Sequence, residues 1–553
     1  MQEKKANETI FGEEQVKIRQ RKPRRAMKPV FKKTAEDTPV MFPDTLDSVI
    51  GEGDVVRYIN TVINQIDKKE LYESYQGGGR SAYDPEIMLK IIISCYAKKI
   101  YTSRKMAQAC RENISIMWIG RKSTPNFRTI AGFRSGRLKE VIEKIFTQAI
   151  QLLIEEGYIS TEVYFTDGTK ILADANRYKV VWKKNAAKFK SNAENRVREL
   201  LREIEEEQKT EDKIYGDKDL EEVGEGKTID KEKIRRRLEE MREKIQKQRE
   251  ECEEKPAQKK MNKRNERIIK TIVGKELPKI DKYEQQEAIA GNRSGYSKTD
   301  TDAAMHRWKD GRTLPTYNTM VSTSGQYVTM INAGQNASDS AMYKEHMKKH
   351  FVNMGYYPKA SVGDSGFGSE ENYQFLEENG IENYLKYSGF YNESRKKIRE
   401  NPSRRENFRY DEEKDEYYCT QNRALVFREE EDFVTKLGHK TKKRTYQSKD
   451  CRNCPIAEKC KAGEGNRTIT IRPELERYKQ QAREKLNSDR GIELRKRRNT
   501  EPESFNGDIK HNMGFRRFHL RGLKKVETEI TIVALAHNFR KMSLHDTQRA
   551  VAK

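Results

Sequence analysis

Cysteines and long apolar runs are both scarce in this chain. Its 553 residues include seven cysteines, an odd number, and the opening MQEKKANETIFGEEQ is charged where a secretion signal needs an apolar run. These features exclude a secreted scaffold held together by disulfides. No stretch approaches the roughly 18 uninterrupted apolar residues that indicate a membrane span. We therefore predict a soluble, intracellular protein without membrane contact.

Acidic residues are too few to balance the basic ones. Lysine and arginine number 111 against 87 aspartates and glutamates, which gives a net charge of +24. Such an excess favours polyanionic partners, of which nucleic acid is the commonest. Residues 1–40, with the run KIRQRKPRRAMKPVFKK, are predicted to be a flexible basic arm. This arm either contacts DNA phosphates or serves as a solubilising tail.

Residues 41–160 have a helical pattern. Asp84 and Pro85 suit the start of a helix, and the apolar residues that follow in PEIMLKIIISCY predict that this helix is buried. Further short helices follow, with Ser or Thr caps and outward-facing arginines. The spacing is compatible with a helix-turn-helix, although ordinary helical domains often share it. We predict a helical DNA-binding domain over residues 41–160.

Beyond this domain, the pattern alternates between strands and helices. TEVYFTDGTKI predicts a strand that ends at Asp167, and KASVGD predicts a strand that ends at Asp364. The segment around Ser324-Gly325 suits a turn between two antiparallel strands. The mixed order predicts an α/β core, which consists of residues 161–185, 283–390 and 481–545.

Two segments interrupt this core. Residues 186–282 are highly charged and have apolar residues such as Leu200 and Leu238 at helical spacing, which predicts an inserted helical hairpin. Residues 391–480 are basic, carry a group of cysteines and are predicted to be irregular. We expect both segments to be insertions in the α/β core.

The two aspartates at strand ends indicate a metal site. Strands that lie side by side would bring Asp167 and Asp364 together, and a later helix could supply a third carboxylate. Magnesium takes oxygen ligands and keeps several waters. Carboxylates in this arrangement suit a pair of such ions.

Several blocks of sequence, in a fixed order, resemble DDE transposases of bacterial insertion sequences. The blocks are TDGTKI, KTDTDAAMHRWKDGRTLPTYNTMVSTSGQ, SVGDSGFGS and RRNTEPESFNGDIKHNMGFRRFHLRGLKKVETEITIVALAHNFRK. The resemblance covers residues 80–185 and 285–545. It implies a ribonuclease-H-like core in which Asp167, Asp364 and a glutamate bind two Mg²⁺ or Mn²⁺ ions.

The resemblance also assigns that glutamate. The family pattern places it seven residues before a lysine, and Glu503 and Lys510 satisfy this spacing. Glu501 is the neighbouring candidate, but it would need a lysine where Asp508 stands. Glu503 is therefore expected to be the third metal ligand, with Lys510 beside the DNA phosphate near the cut.

One departure from the family pattern concerns an arginine. The family has it four residues before the glutamate, where this chain has Asn499. Arg498 lies one residue further away, so the pattern does not carry the arginine's role over to it.

The resemblance implies an activity and its partners. A transposase of this kind binds the terminal repeats of its element, cuts the DNA and joins it to a target. It acts as a homo-oligomer on DNA, in the bacterial cytoplasm with the nucleoid.

The alternatives are a nuclease that cuts without joining, an inactive or domesticated DNA-binding protein, and an interaction protein built on the charged helices. The additional DNA-binding segments favour the transposase, because recognition of element ends needs contacts that a simple nuclease lacks.

The grouped cysteines suggest a second metal site. Cys451, Cys454 and Cys460, together with Cys419 further upstream, offer four thiolates, which is enough for a tetrahedral structural Zn²⁺. His439 is an alternative fourth ligand. The other interpretation is that these cysteines are reduced and carry no metal.

The segment GFRRFHLRG mixes arginines with aromatic residues. Arg516, Arg517 and Arg521 are expected to contact DNA phosphates. Phe515 and Phe518 could stack on a displaced base, but packing against the protein core is the favoured prediction.

Overall fold

The chain forms a mixed assembly of helices and strands, which confirms the predicted α/β class. This computed structural model describes residues 45–75, 78, 81–215, 230–251, 256–308, 310–393, 395–435, 437–461 and 463–552. The predicted basic arm over residues 1–40 lies outside these ranges. In the ranges themselves, no helix has both the length and the apolar character needed to cross a membrane.

The described N-terminal residues form seven helices. Their bounds are α1 (Val55–Gln65), α2 (Lys69–Glu73), α3 (Pro85–Ala97), α4 (Ser103–Glu112), α5 (Ile114–Ile119), α6 (Phe127–Gly132) and α7 (Leu138–Glu155). The predicted helix start at Pro85 is confirmed, since the Asp84 carboxylate accepts hydrogen bonds from the backbone N–H groups of Glu86 and Ile87. A π-helical turn, Phe133–Arg137, joins α6 to α7.

An eight-stranded sheet lies at the centre of the described chain. Its strands are β1 (Val163–Leu172), β2 (Val180–Trp182), β3 (Gly295–Ser297), β4 (Asp300–Arg307), β5 (Thr313–Ser324), β6 (Tyr327–Gly334), β7 (Ala360–Gly368) and β8 (Glu382–Tyr387). The order is β2-β3-β4-β5-β1-β7-β8, and β6 pairs with β5. Strands β1, β7 and β8 are parallel, whereas β5 is antiparallel to β1 and β6. The predicted turn around Ser324-Gly325 is confirmed.

The predictions that one strand ends at Asp167 and another at Asp364 are wrong, and β7 continues past Asp364 to Gly368. Strand β1 continues to Leu172 because residues 165–172 pair with residues 316–323 of β5. The parallel pairing between β1 and β7 does stop just before Asp167, at the Thr166–Gly363 pair. Asp167 therefore lies in mid-strand, at the point where β1 loses one of its two neighbours.

The charged segment between β2 and β3 is a bundle of helices. It contains α8 (Lys183–Tyr215), α9 (Lys231–Glu251), α10 (Pro256–Thr271) and α11 (Leu277–Ala290), and a π-helical turn, Ile272–Glu276, joins the last two. The predicted hairpin is wrong because the apolar residues of all four helices, such as Leu200, Leu238, Ile269 and Ile280, share one buried cluster. Two helices alone would leave part of this apolar surface exposed.

Two helices connect consecutive strands in the second half of the main sheet. They are α12 (Ser340–Met354), between β6 and β7, and α13 (Glu370–Glu378), between β7 and β8. The short helices α14 (Phe390–Glu393) and α15 (Lys396–Arg399) lead into the cysteine-bearing segment.

The cysteine-bearing segment contains a second sheet, so the prediction of an irregular segment is wrong. Its five antiparallel strands are β9 (Arg409–Asp411), β10 (Glu416–Tyr418), β11 (Ala424–Val434), β12 (Lys440–Ser448) and β13 (Thr468–Ile471), and α16 (Ala457–Cys460) precedes the last. The strands were missed because charged residues occupy nearly half of the positions of β11 and β12, which interrupts the apolar alternation. Cross-strand ion pairs such as Lys442–Glu430 (2.7 Å) stabilise the ladder instead.

The C-terminal helices return to the main sheet, as predicted. They are α17 (Pro473–Asn487), α18 (Asp489–Arg498), α19 (Glu501–Gly507) and α20 (Leu523–Ala552), and a π-helical turn, Asp508–Asn512, follows α19. Tyr317 and Val321 of β5 share a core with α3, α7 and α20, whereas Met320 belongs to a second core with α12 and α13. Helices from distant parts of the chain thus cover the sheet.

Candidate active site

Asp167 and Asp364 occupy matching positions on neighbouring strands. Residues 163–166 of β1 pair in parallel with residues 360–363 of β7, and each aspartate is the next residue of its strand. Because the two strands run in the same direction, both aspartates lie at the same edge of this pairing. The predicted juxtaposition of the two residues agrees with this register.

One buried guanidinium contacts both aspartates. Nη2 of Arg498 lies 3.2 Å from Oδ1 of Asp167 and 3.6 Å from Oδ2 of Asp364. The Arg498 side chain is 9% exposed, so its charge is held away from water. The spacing in the sequence did not assign this arginine. Its position on the last turn of α18, in a run of basic residues, brings it to the site.

Burial raises the pKa of Asp167 above its ordinary value of 3.8. The Arg498 charge and a backbone hydrogen bond from Gly168 act in the opposite direction, while the carboxylates of Asp339 and Asp364 add to the rise. One guanidinium therefore does not compensate for the negative charge gathered here. A bound divalent cation would relieve this excess.

The segment after Arg498 covers the same face of β1. Nδ2 of Asn506 donates to Oδ2 of Asp167 at 3.0 Å, and Nζ of Lys510 donates to Oγ1 of Thr169. Asp167 and Thr169 share a face because alternate strand residues point the same way. Lys510 therefore contacts β1 on the face that carries Asp167, and its role beside a DNA phosphate stays a prediction. Asn506 and Thr169 were missed, although the two-residue spacing from Asp167 to Thr169 was a signal for the latter.

The two neighbouring glutamates of α19 have different environments. Glu501 is 5% exposed, and its Oε2 accepts a hydrogen bond of 2.6 Å from the backbone N–H of Gln326 in the β5–β6 turn. Glu503 is exposed and lines a surface cleft with His511 and Arg540. Glu501 therefore has a structural partner, whereas Glu503 is accessible to ligands.

Convergence of all three predicted carboxylates stays a prediction. Across the described ranges, no three His, Cys, Asp or Glu side chains are arranged to hold one metal ion. Asp167 and Asp364 meet at Arg498, and Glu503 faces the adjoining cleft. Glu503 nevertheless precedes Asn506 by a single helical turn, and Asn506 touches Asp167.

Asp339 approaches the site from the opposite face of β1. A Cβ atom on Gly168 would lie only 2.5 Å from Oδ1 of Asp339, so any larger residue there would force the Asp339 carboxylate to move. Nδ2 of Asn318 donates to the same oxygen at 2.6 Å. The Asp167-Gly168 pair is therefore a close-contact position within a strand and forms no turn. Asp339 could not be predicted from the sequence, because it carries no signal beyond its place just before α12.

The four grouped cysteines are neighbours in space. All are free thiols, and burial together with Cys419, Cys451 and Cys454 raises the pKa of the Cys460 thiol. Backbone N–H groups donate to two of the sulfurs, from Arg423 to Cys419 at 3.4 Å and from Arg467 to Cys451 at 3.3 Å.

His439, the alternative zinc ligand, lies elsewhere. It precedes the Lys440 end of β12, whereas the cysteines adjoin the Ser448 end, eight residues away along an extended strand. This separation is about 26 Å at the usual rise per residue. The Nε2 atom of His439 lies 3.6 Å from Oε1 of Glu370. His439 therefore cannot complete the cysteine set.

The arginines after Lys510 have different surroundings. Arg516 and Arg517 are exposed, and Nε of Arg516 donates to the backbone oxygen of Lys510 at 3.1 Å. Nε of Arg521 lies 2.9 Å from Oδ2 of Asp174, so an acidic partner already holds its charge. The two neighbouring phenylalanines, Phe515 and Phe518, are each 1% exposed, which confirms that they pack in the core.

Comparison with known protein families gave two matches. The family model described as "Transposase DDE domain" matches residues 418–543, and the one described as "Transposase domain (DUF772)" matches residues 44–136. The first range includes Glu503, Lys510 and the four cysteines; neither includes Asp167 or Asp364. Searches of curated proteins and of solved structures found no match.

Proposed function

We propose that this chain, which both matched family models support as a DDE transposase of an insertion sequence, binds the ends of its mobile element, cuts the DNA and joins it to a target. The observation that carries the proposal is the pairing of Asp167 with Asp364 at neighbouring strands under one buried guanidinium. An ordinary ion pair on the protein surface would not require a buried guanidinium such as that of Arg498.

The order of the strands supports a ribonuclease-H-like core. Three antiparallel strands, β6-β5-β1, continue into the parallel strands β7 and β8, and helices cover the sheet. We assign residues 161–185, 283–390 and 481–545 to this core and residues 41–160 to a DNA-binding domain. The helical bundle and the cysteine-bearing sheet would then be insertions.

The residues at the site fit Mg²⁺ or Mn²⁺. Asp167 and Asp364 would supply carboxylate oxygens, which are the ligands that these hard cations prefer, and Glu503 would supply a third from α19. The Asp364 side chain is 47% exposed, so solvent and DNA can reach the pair. When two such ions are bound, they activate the attacking water or 3′-hydroxyl and stabilise the leaving oxygen.

The protein's own side chains position the reactants. Asn506 holds one oxygen of Asp167, so the other oxygen keeps a defined direction. Lys510, anchored on Thr169, places a positive charge beside the aspartates, where it can bind the phosphate next to the cut. Arg516 and Arg517 would contact phosphates further along the strand. The reaction is an in-line displacement at phosphorus and needs no covalent enzyme intermediate.

The four cysteines supply the ligand types of a structural Zn²⁺ site, although their thiols are not arranged around a common point in the described ranges. Thiolates from Cys419, Cys451, Cys454 and Cys460 would have to close around the ion, and N–H···S hydrogen bonds to two of the sulfurs would stabilise their negative charge. The ion would join the loop after β10 to the loop after β12 and so hold one end of the second sheet together.

The test is cleavage and joining of labelled element-end DNA with Mg²⁺ or Mn²⁺. Asp364→Asn removes a charge and keeps the shape, so we expect activity to fall by about 10²–10³-fold or more while DNA binding persists. Asp310→Asn is the matched control, because Asp310 is exposed and its ion-pair partner among the described residues is its neighbour Arg312. Oligomeric state on DNA can be measured in the same samples.

Each result separates the candidate functions. Cleavage with joining that disappears only in Asp364→Asn establishes the transposase, and cleavage without joining establishes a nuclease. If the wild type and both variants bind DNA but none of them cleaves it, the result favours an inactive DNA-binding relative. Full activity in Asp364→Asn would remove this residue from the site.

A further inference from the structure

An exposed phenylalanine on the N-terminal helices lies between two arginines. Phe127, the first residue of α6, is 38% exposed. The guanidinium carbon of Arg104, on α4, lies 5.1 Å from the centre of its ring, and that of Arg128 lies 5.8 Å away. Both distances suit cation–π contact, which holds the two positive charges close together. We call Arg104, Phe127 and Arg128 the α4–α6 surface.

The positive charge of this surface is not neutralised by the protein. Arg104 and Arg128 are exposed and form no ion pair with the described residues, and the same holds for Lys105 on α4. Two other exposed cations of these helices differ, since Lys144 pairs with Glu70 and Lys69 lies 3.9 Å from Glu73. The α4–α6 surface is thus a local excess of positive charge with a ring at its centre.

A short chain of contacts links this surface to the candidate active site. Ser103, next to Arg104, lies 3.4 Å from Nη2 of Arg134, whose Nη1 donates to the backbone oxygen of Tyr101 at 2.8 Å. The Tyr101 hydroxyl donates to the backbone oxygen of Met513 at 2.6 Å. Met513 lies between Lys510, at the site, and the exposed Arg516. The packing therefore sets the position of the α4–α6 surface relative to the aspartates.

We propose that the α4–α6 surface binds the backbone of duplex DNA at a distance from the cut, and that Arg516 and Arg517 lie on the path between the two. The proposal rests on the proposed function in taking DNA as the partner. Arginine guanidiniums match phosphate geometry. Because the Phe127 ring keeps the guanidiniums of Arg104 and Arg128 in place, these side chains lose little conformational freedom when they bind DNA. Phosphate contacts of this kind position the duplex without reading its sequence.

The test measures binding of a fluorescein-labelled random-sequence duplex by anisotropy at several salt concentrations. We expect Arg104→Ala/Arg128→Ala to weaken binding about tenfold or more and to lower the slope of log K against log salt by about 2, because two phosphate contacts are lost. Lys69→Ala/Lys144→Ala, which removes two exposed but acid-paired cations, should leave the slope unchanged. Thermal unfolding of all variants checks that the exposed substitutions do not disturb the fold.

Two further variants separate this inference from the proposed function. Asp364→Asn should bind the duplex like the wild type, whatever its effect on cleavage. Phe127→Leu, which keeps an apolar contact without the ring, should weaken binding less than the double arginine variant does. An unchanged salt slope in Arg104→Ala/Arg128→Ala, or a wild type that binds no duplex, would overturn the α4–α6 surface. Loss of cleavage in Asp364→Asn would then still support the active site.

Discussion

The guanidinium of Arg498 lies 3.2 Å from the carboxylate of Asp167, although the two residues are 331 positions apart in the chain. It also reaches Asp364, at 3.6 Å. Two carboxylates side by side repel each other, and burial of Asp167 increases the free-energy cost of its charge. Arg498 provides a positive charge that offsets part of this cost.

Removal of that charge should lower stability in a metal-dependent way. Arg498→Met keeps most of the side-chain volume but leaves the two aspartates uncompensated, so we expect its melting temperature in EDTA to fall by several degrees, about 2–4 °C for each kcal/mol lost. With Mg²⁺ or Mn²⁺ the difference in melting temperature between variant and wild type should become smaller, because the bound ion replaces the missing charge. Differential scanning fluorimetry measures the melting temperatures in EDTA and with metal. A deficit that is equal with and without metal would mean that Arg498 serves packing alone.

The neighbouring glutamates of α19 should respond differently to the same substitution. Glu503→Gln should reduce DNA cleavage by about 10²-fold or more without a change in melting temperature, because this exposed side chain is the expected metal ligand. Glu501→Gln should instead destabilise the protein by about 1–3 kcal/mol, since the buried carboxylate loses charge-assisted hydrogen bonds from Gln326 and Arg497. Each variant is the control for the other. The opposite result would move the metal ligand to Glu501.

The cysteine set should retain zinc through purification. We expect about one Zn²⁺ per chain by mass spectrometry of the metal content, and Cys451→Ser/Cys454→Ser should lose it because two of four ligands are gone. The second sheet should then become sensitive to proteolysis, since the two loops at its end are no longer joined. Cys110→Ala is the control, because this thiol is buried in the N-terminal helices. Equal zinc content in the double variant and the control would refute the site.

A buried glutamate should make stability depend on pH. The Oε2 atom of Glu529 accepts hydrogen bonds from the backbone N–H groups of His519 and Leu520, at 2.8 and 2.9 Å, and Oε1 accepts one from the Tyr96 hydroxyl at 2.7 Å. Burial acts to raise the pKa of Glu529, but these bonds, His519 and the charge of Arg134 hold it below the ordinary value of 4.5. The ionised carboxylate therefore joins α20 to α3 and to the segment that carries Arg516.

Because the folded-state pKa of Glu529 is lowered, its contribution to stability is present above pH 4.5 and is lost as the pH falls through that lowered value. Glu529→Gln should cost about 1.5–3 kcal/mol at pH 7. The difference between wild type and variant should shrink below pH 4.5, as urea titrations at pH 7 and at lower pH can show. Glu70→Gln, at an exposed position, is the control. A constant difference across this range would contradict the assignment.

Short-range sequence patterns were sufficient to predict much of the main sheet. The alternation around Asp167, the strand before Asp364 and the Ser324-Gly325 turn are local features, because a strand repeats every two residues and a turn needs only a few. The blocks that resemble DDE transposases were equally visible, and the two family matches agree with them. The cysteine spacing also indicated the thiols that lie together.

Only the tertiary structure decided which side chains meet at those positions. Arg498 and Asn506 reach Asp167 because α18 and α19 pack across β1. Contacts between residues more than 300 positions apart produce no periodic pattern in the sequence. The second sheet and the third and fourth helices of the bundle were missed because charged residues hide their apolar pattern. The sequence by itself determined many strands and helices around the main sheet and the candidate acids, whereas long-range packing determined the partner of each acid and the burial that perturbs its charge.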